Sequence, residues 1–297
     1  MEKISIITVT HNAEKFLEKT IQSVLSQSDK NFEYLIVDGA SKDKTVEIIR
    51  KYEKLTTEVI AKPSGFAGNA GFHPHFSNIC GQDARVPGGF AISASEAYCD
   101  NYKNEQFRWI SESDAGLYDA MNKGIDLASG DFLWFMNSGD KIYDSSTLSK
   151  IRQEMRSNPN ADIFYGQSLV IDENDNILGE RHKIAPRILS KKSLLKGLVV
   201  GHQSILVRKS IAPYYDLKYQ ITADYDWVCE ILSRSKQNVY IDDYLSRFMA
   251  GGVSSIHRRK SWKERFYIMK KHFGLTQTFF AHLIIAMKYP FTRKYSG

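Results

Sequence analysis

A chain of 297 residues with 42% apolar content fits one large α/β domain, or a domain plus an appendage, and supplies enough apolar surface for a packed core. The formal net charge of +6 is uneven: ten Lys or Arg stand against Glu264 alone from His257 onward, so residues 1–256 are net negative. A body of that sign cannot displace counterions from nucleic-acid phosphates, which argues against nucleic acid as a partner, and three cysteines (Cys80, Cys99, Cys229) make no disulfide framework.

The first residues, "MEKISIITVTHNAEKF", hold a strand-length apolar run without the basic start and longer apolar stretch of a secretory signal, so a cytoplasmic location is expected. After the strand "KISIITVT", Phe16, Leu17, Ile21, Val24 and Leu25 fall at helical spacing. A strand "FEYLIVDG" and a helix "KDKTVEIIRKYEK" follow, and this β-α-β-α opening predicts a parallel sheet covered by helices. Periodicity is then lost over about 63–106, a Gly-, Ser-, Asn- and aromatic-rich insertion too long to be ordinary filler. Order resumes with "FRWISESD", the helix "GLYDAMNKGIDLAS" and the strand "DFLWFM". Beyond Asp140 the pattern predicts a helix from Ser145, strands in "DIFYGQSLVID" and "SILVRK", a helix from Asp224 and a strand "NVYIDDY". The basic end, 256–297, predicts a pair of amphipathic helices whose densest apolar portion, Phe279 to Met287, is too short to span a bilayer. Two readings stay open for it: packing on the domain 1–255, or lying at a membrane interface.

Ligands of open α/β sheets sit beyond the carboxyl ends of the strands. Those ends carry Thr10, His11 and Asn12, then Asp38, then the "NSGD" that closes on Asp140. Neither GxGxxG nor GxxxxGK[ST] occurs at these positions, which argues against a dinucleotide-binding dehydrogenase and a P-loop enzyme. The polar ends instead offer carboxylates, Asp38, Asp114, Asp119, Asp140, Asp224 and Asp226, a supply suited to a hard divalent cation that shares its ligands with substrate phosphates.

The run "ISIITVTHNAEKFLEKTIQSVLSQ...FEYLIVDGASKDKT", with "WISESDAGLYDAMNKGIDLASGDFLWFMNSGD", resembles the family-2 glycosyltransferases of the GT-A fold, in particular the bacterial branch that builds capsules, exopolysaccharides and O-antigens. The resemblance covers roughly residues 3–60 and 107–255. It implies a Rossmann-like, mostly parallel sheet, a nucleotide-sugar donor, Mn²⁺ or Mg²⁺, and transfer with inversion. It also implies site residues. Thr10, His11 and Asn12 would line the nucleoside pocket, and Asp38 would meet the base or ribose, where a carboxylate accepting the imide N–H of uracil favours a UDP-sugar; a turn role in "DGAS" competes. Asp114 and Asn122 would lie beside the ribose and sugar, with Met121 and Ile125 in the core.

"NSGD" departs from the family's acidic pattern because Asn137 and Gly139 stand where acids are common, leaving Asp140 as the sole anionic metal ligand. One carboxylate suffices where the donor diphosphate brings its own oxygens. "TADYDW" resembles the acidic segment beneath the acceptor, making Asp224 the expected general base, with Asp226 turned away; simple helix capping competes. His202 and Gln203, in "GHQS", are candidate contacts to the diphosphate or acceptor, against a merely packed histidine. His257 and Arg258 would sit near the phosphates, against a solvated start to the tail helix. His73, His75, Cys80 and Cys99 lack the paired spacing of a zinc site, so the insertion is expected to be a flap over the sugar or acceptor pocket.

The expected activity is transfer of a sugar to a glycan or lipid-linked acceptor in cell-surface polysaccharide synthesis, with peripheral membrane contact through the tail. A non-catalytic sugar-nucleotide or glycan-binding protein of the same fold is the alternative. A nucleotidyltransferase would need a glycine-rich, basic first loop, and "TVTHNAEKF" provides none.

Overall fold

The computed structural model describes residues 2–61, 106–251 and 258–288. The insertion expected at about 63–106 therefore lies outside the described residues, Gln106 excepted, together with His73, His75, Cys80 and Cys99. His257 lies outside them as well, and of Arg258 only its place at the start of a helix is described.

Four segments form the parallel half of the sheet: β1 (Ile4–Thr10), β2 (Phe32–Asp38), β3 (Phe107–Ser111) and β4 (Phe132–Phe135). β1 and β2 are buried along their whole length, which explains why their apolar residues run together rather than alternate cleanly. Alternation survives in which side each residue faces: Ile4 and Ile6 join one apolar cluster, Ile7 and Val9 the other. Against the first cluster pack α1 (Leu17–Leu25) and α4 (Thr147–Ser157), through Leu17, Ile21 and Val24 and through Leu148, Ile151 and Met155. Burying each such side chain contributes about 1.5–3 kcal/mol. α2 (Thr45–Ala61) covers the same side near β3. α3 (Leu117–Leu127) takes the other side, with Met121 and Ile125 in the core as expected.

The remaining strands are β5 (Lys141–Ile142), β6 (Ile163–Ile171), β7 (Ile177–Glu180), β8 (Ile205–Arg208) and β9 (Asn238–Met249). The nine strands lie in the order β3-β2-β1-β4-β8-β6-β9-β5, with β7 on β6. β8 is antiparallel to β4, and this reversal decides the site: the residues entering β8, 202–204, lie beside the residues leaving β4. β9 runs well past the expected "NVYIDDY", following β6 in parallel to Ile171↔Met249 through two register shifts. Its last residue thereby arrives at the same place.

Described residues on either side of residue 255 pack against one another. α5 (Ala223–Arg234) meets α6 (Arg258–Phe273), whose Ile268 and Met269 are fully buried in the same cluster as Phe135 and Trp227. Asp226, 3% exposed, accepts from Lys271 at 3.0 Å and pairs with His272 at 2.7 Å. Burial would raise its carboxyl, but His272 and Lys271 hold it below the ordinary carboxylate value. Asp226, Glu230 and His272 form a potential ligand set, but the Lys271 ammonium, 3.0 Å from both carboxylates, already fills the cationic place. α7 (Leu275–Lys288) completes the described chain and leaves Leu275, Phe279, Phe280, Leu283, Ile284 and Met287 exposed.

Candidate active site

Parallel register sets one side of the site. Thr10 pairs with Asp38, and Asp38 with Ser111, so three strands end level. Asp38 is completely buried and accepts from Ser41 N at 2.9 Å, Ser41 Oγ at 2.5 Å and Ser111 Oγ at 2.6 Å. These bonds show the turn role: Oδ2 takes two of the donors and Oδ1 the third. Asn12, at φ 47, uses the left-handed region that Asn tolerates, giving its N–H to Ser41 Oγ at 2.8 Å and accepting Lys42 N–H at 2.8 Å. His11 Nδ1 meets the Gly39 carbonyl at 2.9 Å while Nε2 faces Asn12 Nδ2, also at 2.9 Å, so Nδ1 carries the proton. Asp114 presses on Gly39 from the other direction and accepts Gly116 N–H at 2.9 Å. Thr10 Oγ1 is buried without a hydrogen-bond partner.

Asn122 has a different post from the expected one beside the donor. Its amide donates to the Tyr215 carbonyl at 3.0 Å and accepts Tyr215 N–H at 2.7 Å, so both ends of the group brace a neighbouring segment.

The second side is built around the turn after β4. Met136 and Ser138 still donate to Ile7 and Val9 of β1, and the chain then closes with Asp140 N–H on the Asn137 carbonyl at 2.9 Å. Gly139 sits at φ +100, where Met249 Cε would lie 2.5 Å from any side chain. Thr20 of α1 locks the turn, accepting from Gly139 N at 3.0 Å and donating to the Asp140 carbonyl at 2.8 Å.

The Asp140 carboxylate, 5% exposed, is held by Gln203 Nε2 at 2.9 Å and Met249 N at 3.1 Å. Burial pushes it up to about 6, although His202, Gln203, Met249 and Arg181 all favour its ionised form. Around it, Asn137 Oδ1 and Ser138 Oγ are buried with no partner. Unsatisfied oxygens in the same turn as a carboxylate are the kind of donors a hard cation or the hydroxyls of a ligand would take, so the residue types present fit a divalent ion.

His202 lies between Asp224 and the turn that carries Asp140. Asn137 Nδ2 meets its Nε2 at 3.1 Å, which leaves Nδ1–H facing Asp224 Oδ2 at 3.8 Å. Asp224 Oδ1 accepts Tyr225 N–H at 2.9 Å, with the Tyr118 hydroxyl 3.4 Å away, and the side chain stays 21% exposed. The strip is thus Asp140 and Asn137, then His202, then Asp224.

Two residues with no signal in the sequence complete it. Glu264, the single acid in the basic tail, is 7% exposed and accepts N–H groups of Gln220, Ile221 and Thr222 at 3.0–3.1 Å, plus the Thr222 hydroxyl at 3.1 Å. It caps the turn that delivers Asp224, while Thr222 itself makes no side-chain cap. Arg181, just past β7, places its charge near both Asp140 and Asp224, and burial lowers its ordinarily high value. Sequence spacing gives no sign of either, because each acts from an element remote in the chain.

A sequence model of "Glycosyl transferase family 2" matches residues 5–71 and 93–213. A "PGL/p-HBAD biosynthesis glycosyltransferase" of Mycobacterium bovis is 27% identical over 227 residues, 75% of this chain and 67% of that protein. An uncharacterized glycosyltransferase of Mycobacterium tuberculosis is 27% identical over 263 residues, 87% of this chain and 79% of that one. Among solved structures, S. aureus TarS superposes with TM-score 0.59 at 16% identity over 90% of this chain, which spans only 38% of TarS. TarS 1–349 in complex with UDP-GlcNAc gives TM-score 0.59 at 13% identity, covering 97% of this chain and 75% of that one. A mannosyltransferase from Pyrobaculum calidifontis in complex with GDP-Man and Mn²⁺ gives TM-score 0.54 at 9% identity, covering 96% and 75%. At such identities the structural likeness speaks for the GT-A fold alone.

Proposed function

The chain belongs to glycosyl transferase family 2, and we propose that it moves one sugar from a UDP-linked donor, with inversion, to a glycan or lipid-linked saccharide acceptor in cell-surface polysaccharide synthesis. The observation that carries this reading is the strip from the Asn137–Asp140 turn through His202 to Asp224, in which one imidazole meets the Asn137 amide with Nε2 and faces the partly exposed Asp224 with Nδ1. Asp38 ends β2 level with Thr10 and Ser111, the place from which a carboxylate would accept the imide N–H of uracil. The complexes of TarS with UDP and UDP-GlcNAc support the choice of nucleotide by analogy of fold.

In the proposed reaction Asp224 takes the proton of the attacking hydroxyl. That oxygen bonds to the anomeric carbon from one face while the bond to the diphosphate breaks on the other, its electron pair leaving with the diphosphate. Tyr225 N–H holds Asp224 in place, and His202 Nδ1 faces its other oxygen from 3.8 Å. Arg181 supplies fixed positive charge close to where negative charge develops. Asp140, with Asn137 and Ser138, would hold Mn²⁺ or Mg²⁺, whose charge would offset that of the departing diphosphate.

Calorimetric titration of UDP with and without Mn²⁺ tests the reading. Binding that needs the ion and is lost in Asp140→Ala is expected; unchanged UDP affinity in that variant would count against it. Tight binding with no turnover of any donor would instead favour a binding protein.

Peripheral association with the inner face of the cytoplasmic membrane extends the proposal. No helix among the described residues is long and apolar enough to cross a membrane. The exposed Phe279, Phe280, Leu283 and Ile284 of α7 suit shallow insertion, and a groove of about 780 Å³ along α6, with Lys218, Lys260, Lys263, Lys270 and Lys271 on its walls, suits anionic headgroups. Replacing Phe279 and Phe280 by Ser should abolish co-sedimentation with anionic vesicles and leave transfer to a soluble acceptor intact.

A further inference from the structure

Between Asp224 and α6 lie two cations that the proposed transfer does not use, Lys183 and Arg265, with Arg181 beside them. Lys183 Nζ occupies the space where a side chain at Gly197 would begin, and Arg265 Nη1 lies 3.6 Å from that point. Gly197, at φ +95, keeps the space clear and ends a short 3-10 turn. Arg181 adjoins them from the catalytic side, its Nη1 3.0 Å from the corresponding point on Gly201. Among the described residues none of the three forms an ion pair with a carboxylate. Arg265 Nε is shielded from solvent with no hydrogen-bond partner. Burial, then Arg265 and Arg181, pushes Lys183 down to about 7, so the cations repel one another where water screens them poorly.

Arg181 has Asp224 and Asp140 nearby, but the charges of Lys183 and Arg265 have no such compensation among the described residues and cost stability unless an anion completes them. Arg265 also leans over the ring of Tyr225, 5.9 Å from its centroid, next in sequence to Asp224. The cluster is therefore on the flank of the proposed base, where an acceptor would lie, and is reached through β7, the 3-10 turn and α6 rather than through the tips of β1 and β2. We propose that Lys183 and Arg265 bind a phosphate group carried by the acceptor, making the acceptor class a phosphate-bearing saccharide or lipid saccharide; this rests on the glycosyltransferase reading above.

The test uses the full chain saturated with UDP and Mn²⁺, so that any donor-diphosphate site is filled, titrated with inorganic phosphate, octyl phosphate and 1-octanol. Binding of octyl phosphate that weakens tenfold or more in both Lys183→Met and Arg265→Gln, with UDP affinity within twofold of the parent, is expected. Equal affinity for both phosphates would support recognition of the phosphate alone, and tighter octyl phosphate recognition of a lipid as well. Either variant should melt at or above the parent, since each removes a repelling charge, which guards against misfolding. The proposal is overturned if neither phosphate binds, if 1-octanol binds as tightly as octyl phosphate, or if UDP affinity falls in step with phosphate affinity, which would assign the cations to the donor. A parent that binds phosphate but not UDP would break the glycosyltransferase reading and leave the anion site standing.

Discussion

Thr10, Asp38 and Ser111 meet because three parallel strands end level, and their hydrogen bonds reach residues of the adjoining turns. Asp140, His202 and Asp224 meet through partners far apart in the chain: Gln203 and Met249 hold Asp140, and Glu264 holds the turn before Asp224. The nucleoside side is thus a product of strand register, whereas the catalytic side depends on the antiparallel β8, the end of β9 and a helix of the tail. A register-built site tolerates loss of one bond, because neighbouring strands still fix the backbone. A site assembled from remote elements transmits the loss of one side chain to the reacting group.

That contrast yields graded expectations. Asp224→Asn keeps the oxygen that accepts Tyr225 N–H but removes the base, so transfer should fall about 10²–10⁴-fold with UDP affinity unchanged. Steady-state rates beside calorimetric binding decide it; parental activity would remove Asp224 from the mechanism. Glu264→Ala, outside the proposed reacting groups, strands three backbone donors and should lower unfolding free energy by at least about 3 kcal/mol, slowing transfer too. Glu264→Gln should recover part of both, because one amide oxygen still accepts. Urea denaturation and rate measurements read this, and an unaffected rate in Glu264→Ala would mean that Asp224 is placed without the tail.

Asp140→Asn should act on binding and stability in opposite directions. Because the folded carboxyl sits at about 6, above its ordinary 3.8, stability falls as pH rises through that interval, and the ionised group remains a burden above it. The cost is about 3 kcal/mol at most. The Asn variant should therefore melt above the parent at pH 8, match it near pH 4, and lose Mn²⁺-dependent UDP binding. Melting curves at the two pH values check the sign. Asn122→Ala should do least at the site: about 1–3 kcal/mol of stability lost with the brace on Tyr215, and UDP affinity within twofold. A tenfold loss of UDP affinity would return Asn122 to the donor pocket.

Much of the fold is legible in the sequence because helical spacing and apolar runs are local. The β-α-β-α opening, the turn after "DFLWFM" and a helix pair at the basic end all have counterparts. The two-residue β5, the extension of β9 to Met249 and the burial of α6 do not, since each depends on what lies opposite in space. A basic, aromatic segment reads as a surface appendage until a buried Asp226 and the backbone donors of the 220–222 turn are found to need its Lys271, His272 and Glu264.

By itself the sequence determined that Thr10 and Asp38 stand at strand ends and Asp140 in the turn after a strand, because apolar, largely β-branched runs punctuated by Gly, Ser and Asp can form little else. Only the tertiary structure decided that Asp140 is held by Gln203 and Met249, that His202 reaches Asp224, and that Glu264 and Arg181 belong to the same neighbourhood. The physical reason is that side chain to backbone and side chain to side chain bonds across elements depend on strand order and helix docking, which hydrophobic periodicity leaves open.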